Sequence, residues 1–540
     1  MRWQAFLLSL FLAAAPAEAG WHEARSAHFI IYSEEKPERL RAFAEELERF
    51  DAGMRVLRDL PPTEDSANNR LTVFLVDSVS TIRKLKGSAS VVGFYDGRAG
   101  DSVAFVPRRT GADSAGFDSD LVLRHEYAHH FMFRNYPAAY PAWFIEGFAE
   151  FSSTARIQPD GSVDFGLAAR HRAWDVLAGE QIPVELLLAS DRRSQNIASI
   201  YGRGWLLTHY LTFSKERRGQ LGRYLNAINA GTTPLVAAQD AFGDLRKLDR
   251  ELDRYTRART SYFRIPGEKL APGPIEVRAL SAGANAILPI HMRSRRGVDE
   301  KQAAALVIEA RRAAAPYPDD PFVQLALAEA EIDAGNIDAA DAAAARVLAA
   351  DPSSVRALVF RGRAALARLE AADSADPAAW KAARQWFLTA NRLEPGAPAP
   401  LVHYALSFDA QRIERSKTGS VALYSAAALA PEDDSIRLVV AKQKLTDGDV
   451  TAARAVLGPV AYNPHGGEAA RFAGALIAAL DAAADTASVG WAALDRAARE
   501  LLAQENSEDG ADEGEDEGVT KGPDKAGAGA DRSRPAGSGG

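Results

Sequence analysis

Residues 124–131 read RHEYAHHF, with His125, Glu126 and His129 in an HExxH arrangement. Side chains four residues apart lie on one face of an α-helix, with Cβ atoms about 6 Å apart. Two imidazoles at that spacing can bind one zinc ion, and Glu126 would lie beside the metal, where it could take a proton from a water molecule. Two surface histidines beside a glutamate are the alternative that the pattern leaves open.

A second helix is predicted soon after the first, because Pro137 and Pro141 must interrupt the helical pattern. It begins with residues 143–150, WFIEGFAE. These residues resemble the Trp-x-x-Glu-Gly-x-Ala context of the gluzincin metallopeptidases. The resemblance implies that Glu146 is the third zinc ligand. It also implies that Glu150 holds the place of the acid that orients His125, where thermolysin-like members have Asp. Surface or capping carboxylates are the alternative for both residues.

A third element, Tyr201-Gly202-Arg203-Gly204, resembles the Tyr-x-x-Gly element of aminopeptidase-type gluzincins. In that family the tyrosine hydroxyl stabilises the oxyanion, which implies the same role for Tyr201; a core tyrosine is the alternative. The Gly-x-Met-Glu-Asn-like motif of exopeptidases is absent from the sequence, so aminopeptidase activity is not inferred. Three protein ligands and an open fourth position are typical of a catalytic zinc site, and we expect one Zn²⁺ per chain.

The composition restricts the chemistry further. The 540 residues include no cysteine, which excludes disulfides, thiol nucleophiles and thiolate metal ligands, so that a metal site must use His, Asp and Glu. The formal net charge is −8, and eight acidic residues lie between Glu505 and Glu517. The tail from residue 505 to 540 is predicted to be disordered. With no dense basic run, nucleic acid is not expected to be the main partner.

The first nineteen residues are predicted to be a signal peptide. Arg2 precedes an apolar run at residues 5–15, and Ala17-Glu18-Ala19 forms a small-x-small cleavage site. The run is shorter than the ~20 residues that a membrane span needs, and a buried amino-terminal helix is the alternative. We therefore expect an exported protein, periplasmic or secreted, without a transmembrane span.

The alternation of apolar residues predicts an α+β domain at residues 20–264, with strands first and helices after. The strands are predicted at residues 28–32, 71–76, 91–95 and 102–106, the last two as a hairpin; helices are predicted at residues 38–57 and from Asp118 or Ser119 onward. The resemblance to small bacterial peptidase-MA-like gluzincins covers residues 21–264 and implies a zincin-like fold. Residues 265–298 are predicted to be a linker and a small segment of uncertain structure.

Residues 299–504 are predicted to form a helical repeat domain. Five prolines recur at intervals of 34, 43, 36 and 33 residues, namely Pro318, Pro352, Pro395, Pro431 and Pro464. A period near 34 residues resembles tetratricopeptide (TPR) repeats, which implies a solenoid that binds a protein partner. The 43-residue unit is expected to carry an insertion at residues 371–377. An unrelated Ala-rich helical bundle is the alternative.

Together these patterns predict an exported zinc metallopeptidase that hydrolyses peptide bonds, with Glu126 as general base. A catalytically degenerate zincin-fold scaffold is the main alternative, and hydrolysis of a non-peptide amide or ester is another. The strand at residues 102–106 is a hypothetical edge strand for an extended substrate. Other histidines are interpreted as structural or without a partner at metal spacing: His130, His171, His209, His291, His403 and His465.

Overall fold

The computed structural model describes residues 20–89, 91–100, 102–109, 119–179, 181–189, 197–483 and 490–515. The predicted signal peptide, Asp118 and residues 516–540 lie outside this range. Among the described residues, no helix is both long enough and apolar enough to cross a bilayer.

The amino-terminal domain is built on a six-stranded mixed sheet with the order β4-β5-β3-β2-β1-β9. Strands β2, β3 and β5 run parallel to one another, whereas β4, β1 and β9 pair antiparallel with their neighbours. A second, three-stranded antiparallel sheet has the order β6-β7-β8. The nine strands of the described ranges are β1 (His22–Arg25), β2 (Phe29–Ser33), β3 (Leu71–Val76), β4 (Phe94–Asp96), β5 (Val103–Pro107), β6 (Arg156–Ile157), β7 (Val163–Phe165), β8 (Phe263–Ile265) and β9 (Glu276–Ala279).

Twenty-two α-helices accompany the strands in the part of the chain that the structure describes. The helices of the first half are α1 (Pro37–Leu57), α2 (Val79–Lys86), α3 (Ser119–Asn135), α4 (Ala142–Ser153), α5 (Ala173–Leu177), α6 (Val184–Ala189), α7 (Ile197–Phe213), α8 (Gln220–Asn229), α9 (Pro234–Phe242), α10 (Leu245–Tyr255) and α11 (Ala282–Arg296). Those of the second half are α12 (Glu300–Ala314), α13 (Pro321–Asp333), α14 (Ile337–Ala350), α15 (Val355–Ala371), α16 (Pro377–Leu393), α17 (Pro398–Ala410), α18 (Lys417–Leu429), α19 (Asp434–Thr446), α20 (Val450–Ala461), α21 (Gly467–Ala482) and α22 (Trp491–Glu515).

The main sheet is buried on both faces, which explains why β3 reads as a nearly continuous apolar run. Val73 belongs to the core shared with α1, α3 and α4, whereas its neighbour Phe74 packs on the opposite face with Leu288 and Met292 of α11. The helix at residues 38–57, the hairpin and the strands predicted at residues 28–32, 71–76 and 102–106 are confirmed to within one residue, whereas the strand predicted at residues 91–95 begins only at Phe94.

One sequence-based expectation about this sheet is wrong. The strand at residues 102–106 is β5, which lies between β4 and β3, so the edge strands of the sheet are β4 and β9. Within the segment 265–298, the part whose structure was left uncertain contributes strand β9, which pairs with β1, and helix α11. Strand β9 escaped detection because its sequence, EVRA, lies mostly exposed and shows no apolar face.

The second half of the chain is a succession of antiparallel helix pairs, consistent with a TPR-like solenoid. The pairs are α13/α14, α15/α16, α17/α18, α19/α20 and α21/α22. The five recurrent prolines each lie in the turn that separates one pair from the helix before it. The extra length of the 43-residue unit does not form a separate insertion: α15 and α16 have 17 residues each, against 13 and 14 in α13 and α14.

The prediction that the chain is disordered from residue 505 is wrong at its start, because α22 continues to Glu515. Extending an existing helix needs no new nucleus, which is why α22 can continue past Leu502.

The helical domain docks directly on the helix that carries the HExxH residues. The Nη1 atom of Arg134, near the end of α3, donates hydrogen bonds to the Leu429 carbonyl oxygen and to Oε1 of Glu432, each at 3.1 Å. Asn68 of the amino-terminal domain donates two hydrogen bonds to the Glu394 carboxylate. Both domains line a cleft beside helix α3.

Candidate metal centre

The candidate centre lies where α3 and α4 pack against each other. Helix α4 follows Pro141 and is buried along its entire length, which brings its carboxylates against α3. Its approach to α7 requires glycine, since a Cβ on Gly147 would lie 2.4 Å from the Gly204 carbonyl oxygen. A Cβ on Gly204 would in turn lie 2.6 Å from the Trp143 carbonyl oxygen. The two glycines of the sequence patterns are thus explained by helix packing.

His125, His129 and Glu146 each place one potential ligand atom within 4.8 Å of the others. The Nε2 atoms of the two histidines are 3.1 Å apart. Oε2 of Glu146 lies 3.3 Å from Nε2 of His125 and 3.7 Å from Nε2 of His129. The histidines and the glutamate, predicted from two separate stretches, are therefore brought together around one point.

The donor set fits a zinc ion. Oε2 of Glu146 is buried and accepts no well-aligned hydrogen bond from any described residue, although two imidazoles face it. A buried carboxylate oxygen without a partner is costly, and a cation between it and the two nitrogens would remove that cost. Two imidazoles and a carboxylate are a common catalytic ligand set for Zn²⁺.

The charges in the centre shift the pKa values of the three residues in different directions. Burial lowers the pKa of His125, but the carboxylate of Glu146, 3.3 Å from its Nε2, and the charge of Glu150 outweigh burial and raise it to about 9. Burial lowers the pKa of His129 to about 3 despite the opposing charge of Glu146. For Glu146, burial raises the pKa, but the neighbouring histidines His465 and His129 hold it well below the usual range. At neutral pH His125 is thus favoured in the protonated form, His129 in the neutral form and Glu146 in the ionised form, so a metal ion would have to displace a proton from His125.

Glu150 lies fully buried behind His125. Its Oε1 is 3.5 Å from Nδ1 of His125, its Oε2 accepts a 2.6 Å hydrogen bond from Nε2 of His171, and Nη2 of Arg172 donates to Oε1 at 2.7 Å. Burial raises its pKa, but the His171 hydrogen bond and the charges of His125 and Arg172 lower it to about 2. An ionised Glu150 is therefore positioned to hold the His125 ring, the role that the sequence resemblance implied for it.

Glu126 and Tyr201 line the same cavity as the two histidines. Burial raises the pKa of the Glu126 carboxyl. The Tyr201 ring centroid lies 5.9 Å from that of His125, and the Arg172 guanidinium stacks over the tyrosine ring at 4.6 Å. Burial, reinforced by the surrounding carboxylates, raises the pKa of Tyr201 above its usual value, so its hydroxyl keeps the proton.

The structure corrects the interpretation of two histidines as having no relevant partner. His171 contacts Glu150, and Nε2 of His465 forms a 2.7 Å hydrogen bond with Oε1 of Glu146. By contrast, His130 contacts the Tyr95 hydroxyl and His209 contacts the Tyr255 hydroxyl, both away from the three ligands. Sequence reasoning missed His465 because it is 319 residues from Glu146. The one signal was its place in the turn after Pro464, on a repeat boundary.

The cavity around these residues has a volume of about 1290 Å³ and is lined by both domains. The amino-terminal domain contributes residues 91–100, which include the edge strand β4. The helical domain contributes side chains from α13, α15, α17 and the turns before α19 and α21, among them Arg356, His403 and His465. The candidate centre thus opens into a cleft that is larger than a typical small-molecule site.

Comparisons with known proteins add little about function. No protein-family model matches the chain, and no curated protein matches it. Among solved structures, it is similar to TTC0263, a thermophilic TPR protein of Thermus thermophilus, at 19% identity and a TM-score of 0.29, over 34% of this chain and 93% of that one. It is also similar to a MamA RS-1 ArsTM double mutant at 16% identity and a TM-score of 0.25, over 34% of this chain and 94% of that one.

Proposed function

We propose that the chain is an exported zinc-dependent peptidase of the gluzincin type, which cleaves peptide bonds of protein or peptide substrates in the cleft between its two domains. The observation that carries the proposal is the convergence of His125, His129 and Glu146 within 4.8 Å, in a cavity that also holds Glu126. A structural metal site or a scaffold would have no use for an additional, partly buried carboxyl beside the ligand set. Export rests on the amino-terminal sequence alone.

In this proposal His125, His129 and Glu146 hold one Zn²⁺. When bound, the ion would polarise the substrate carbonyl and make a water molecule more acidic. Ionised Glu150 keeps the His125 ring in one orientation through its contact with Nδ1. The orientation of His125 within the ligand set is therefore fixed by the buried carboxylate of Glu150.

Glu126 is the proposed general base. Burial raises the pKa of its carboxyl and so makes the carboxylate a stronger base. A pKa closer to neutral pH allows the same group to accept a proton and then to release it. It would take a proton from a water molecule in the cavity and transfer that proton to the leaving amine. Tyr201, which keeps its hydroxyl proton, would donate a hydrogen bond to the oxygen of the attacked carbonyl as negative charge develops there.

The cleft supports a chain-like substrate. Its volume of about 1290 Å³ exceeds the ~300–1,000 Å³ of a typical small-molecule site. Its walls include several helices of the repeat domain and the edge strand β4, which pairs on one side only among the described strands and would offer main-chain groups to an extended peptide. We propose that the helical repeats recruit the protein substrate or a protein partner.

The test is metal content and cleavage in parallel. Purified wild type should hold about one zinc per chain. Glu126→Gln should keep the metal while cleavage of a broad library of unfolded proteins falls by about 10²–10⁴-fold. Glu268→Gln, which alters an exposed carboxylate, is the matched control and should cleave like the wild type.

Two outcomes contradict the proposal. If the wild type holds no zinc, the enzyme interpretation fails. If it holds zinc but cleaves no member of the peptide library, the scaffold interpretation is favoured; assay of amide and ester substrates then tests the remaining alternative.

A further inference from the structure

We infer that the repeat domain contributes a side chain to the metal centre, because its His465 is a positioning residue for the ligand Glu146. The inference rests on the proposed metal centre and adds a component that the peptidase-like domain lacks. It would make zinc affinity depend on how the helical domain is docked.

The two oxygens of the Glu146 carboxylate have different surroundings. Oε2 faces both imidazoles of α3 and has no well-aligned hydrogen bond among the described residues. Oε1 points the other way and is 2.7 Å from Nε2 of His465. A carboxylate with one oxygen held by a donor and the other directed at two imidazoles is oriented for binding through Oε2.

The hydrogen bond has a defined direction. An ionised carboxylate has no proton to give, so Nε2 of His465 must be the donor. The imidazole also packs near the ligand His129, with ring centroids 5.0 Å apart. Its side chain is half exposed, so His465 closes one side of the centre without sealing the cleft.

The turn that carries His465 is built to hold it. The turn lies between α20 and α21, and Oδ1 of Asn463 accepts a 3.0 Å hydrogen bond from the backbone N–H of His465. The amide Nδ2 of the same Asn463 donates to Oδ2 of Asp434, at 2.9 Å, at the start of α19. The side chain of Asn463 therefore ties the turn to the preceding helix pair.

Partners that orient metal ligands usually change metal affinity by about 10–100-fold when they are removed. His465→Ala and His465→Asn should weaken zinc binding by that factor. In His465→Gln the amide nitrogen reaches nearly the same place as Nε2, so this variant should retain an affinity close to that of the wild type. His403→Gln removes another imidazole of the same cleft and domain and is the matched control.

The experiment measures the zinc dissociation constant of the full-length protein by competition with a chromophoric chelator, together with the visible absorption spectrum of the Co²⁺-loaded form. We expect the wild type, His403→Gln and His465→Gln to bind zinc with similar affinity. We expect His465→Ala and His465→Asn to bind it more weakly. The Co²⁺ spectrum of His465→Ala should show an altered ligand field. Wild-type affinity in His465→Ala would overturn the inference while leaving the proposed metal centre intact, whereas absence of zinc from the wild type would overturn both. Equal loss in His465→Gln and His465→Ala would overturn the hydrogen-bonding role.

A double-mutant cycle separates positioning from general destabilisation. Asn463→Ala should weaken zinc binding in the wild-type background and have no further effect in the His465→Ala background, because it acts through His465. Equal losses in both backgrounds would show that the turn affects the centre only through the fold, and the inference would fail.

Discussion

Glu150 provides the sharpest quantitative prediction, because three side chains depend on one buried carboxylate. Its side chain is fully buried and contacts His125, His171 and Arg172. Replacing it with glutamine keeps the shape but removes the negative charge and turns one acceptor into a donor. Either His171 or Arg172 then faces an N–H group instead of an oxygen.

Two routes give similar magnitudes for the effect on stability. Breaking a buried ion pair by removing one partner costs about 3–5 kcal/mol. Independently, the pKa of Glu150 is lowered from its ordinary value of 4.5 to about 2. That difference is roughly 3 kcal/mol of stabilisation at neutral pH, at about 1.4 kcal/mol for each pKa unit. Because Arg172 is partly exposed and also lies 3.8 Å from Asp175, we expect the lower end, about 3 kcal/mol.

The sign of the pH dependence follows from the lowered pKa. The contribution of ionised Glu150 to folding stability is fully present above the unfolded-state pKa of about 4.5 and is lost as the pH falls through about 2. In chelator-treated protein, urea unfolding of Glu150→Gln should therefore show a lower midpoint than the wild type at pH 7. The difference should shrink as the pH is lowered below about 4.5.

The same variant should bind zinc about 10–100-fold more weakly, since the His125 ring loses its partner. Glu268→Gln, an exposed site, is the control for loss of one negative charge. A wild-type unfolding midpoint at pH 7 would refute the described network. Wild-type zinc affinity would refute the assignment of Glu150 as the residue that orients His125.

Three further predictions concern packing, docking and pH. Gly147→Ala should lower the thermal midpoint, with a loss of about 1–3 kcal/mol, since its Cβ would collide with the Gly204 carbonyl oxygen; Gly222→Ala, where nothing lies within 4 Å, should not destabilise. Arg134→Met leaves buried Glu432 without its cation, so limited proteolysis should separate the two domains faster than in the wild type. Burial raises the pKa of the Asp434 carboxyl to about 6. Its contribution to folding stability is therefore fully present below the unfolded-state pKa of about 3.8 and is lost as the pH rises through 6. Between pH 5 and pH 8, the thermal stability of Asp434→Asn should therefore increase relative to that of the wild type. If the difference in thermal midpoint between Asp434→Asn and the wild type is the same at pH 5 and pH 8, the last prediction is contradicted.

The elements that the sequence predicted well are those whose pattern is local. The run at Leu71–Val76 is apolar because β3 is covered on both faces, and the recurrent prolines end helices wherever they occur. The pairing of His125 with His129 follows from helical periodicity alone. Such features depend on neighbours within a few residues, so a single sequence is enough to detect them.

The parts that sequence reasoning missed depend on contacts between distant segments. His171 reaches Glu150 only because the chain returns to α4 after strands β6 and β7, and His465 reaches Glu146 only because the helical domain docks on α3. Neither contact leaves a spacing that can be read from the sequence. Strand β9 was missed for a different reason: it lies at the sheet edge with its side chains mostly in solvent, so it lacks an alternating apolar face.

Anomalous diffraction at the zinc absorption edge would show whether His125, His129 and Glu146 hold one zinc ion. Crystals of the full-length protein should show one anomalous peak per chain, about 2.0–2.2 Å from a nitrogen of each histidine and from an oxygen of Glu146. Absence of a peak in zinc-soaked crystals, or a peak bound by other residues, would contradict the account.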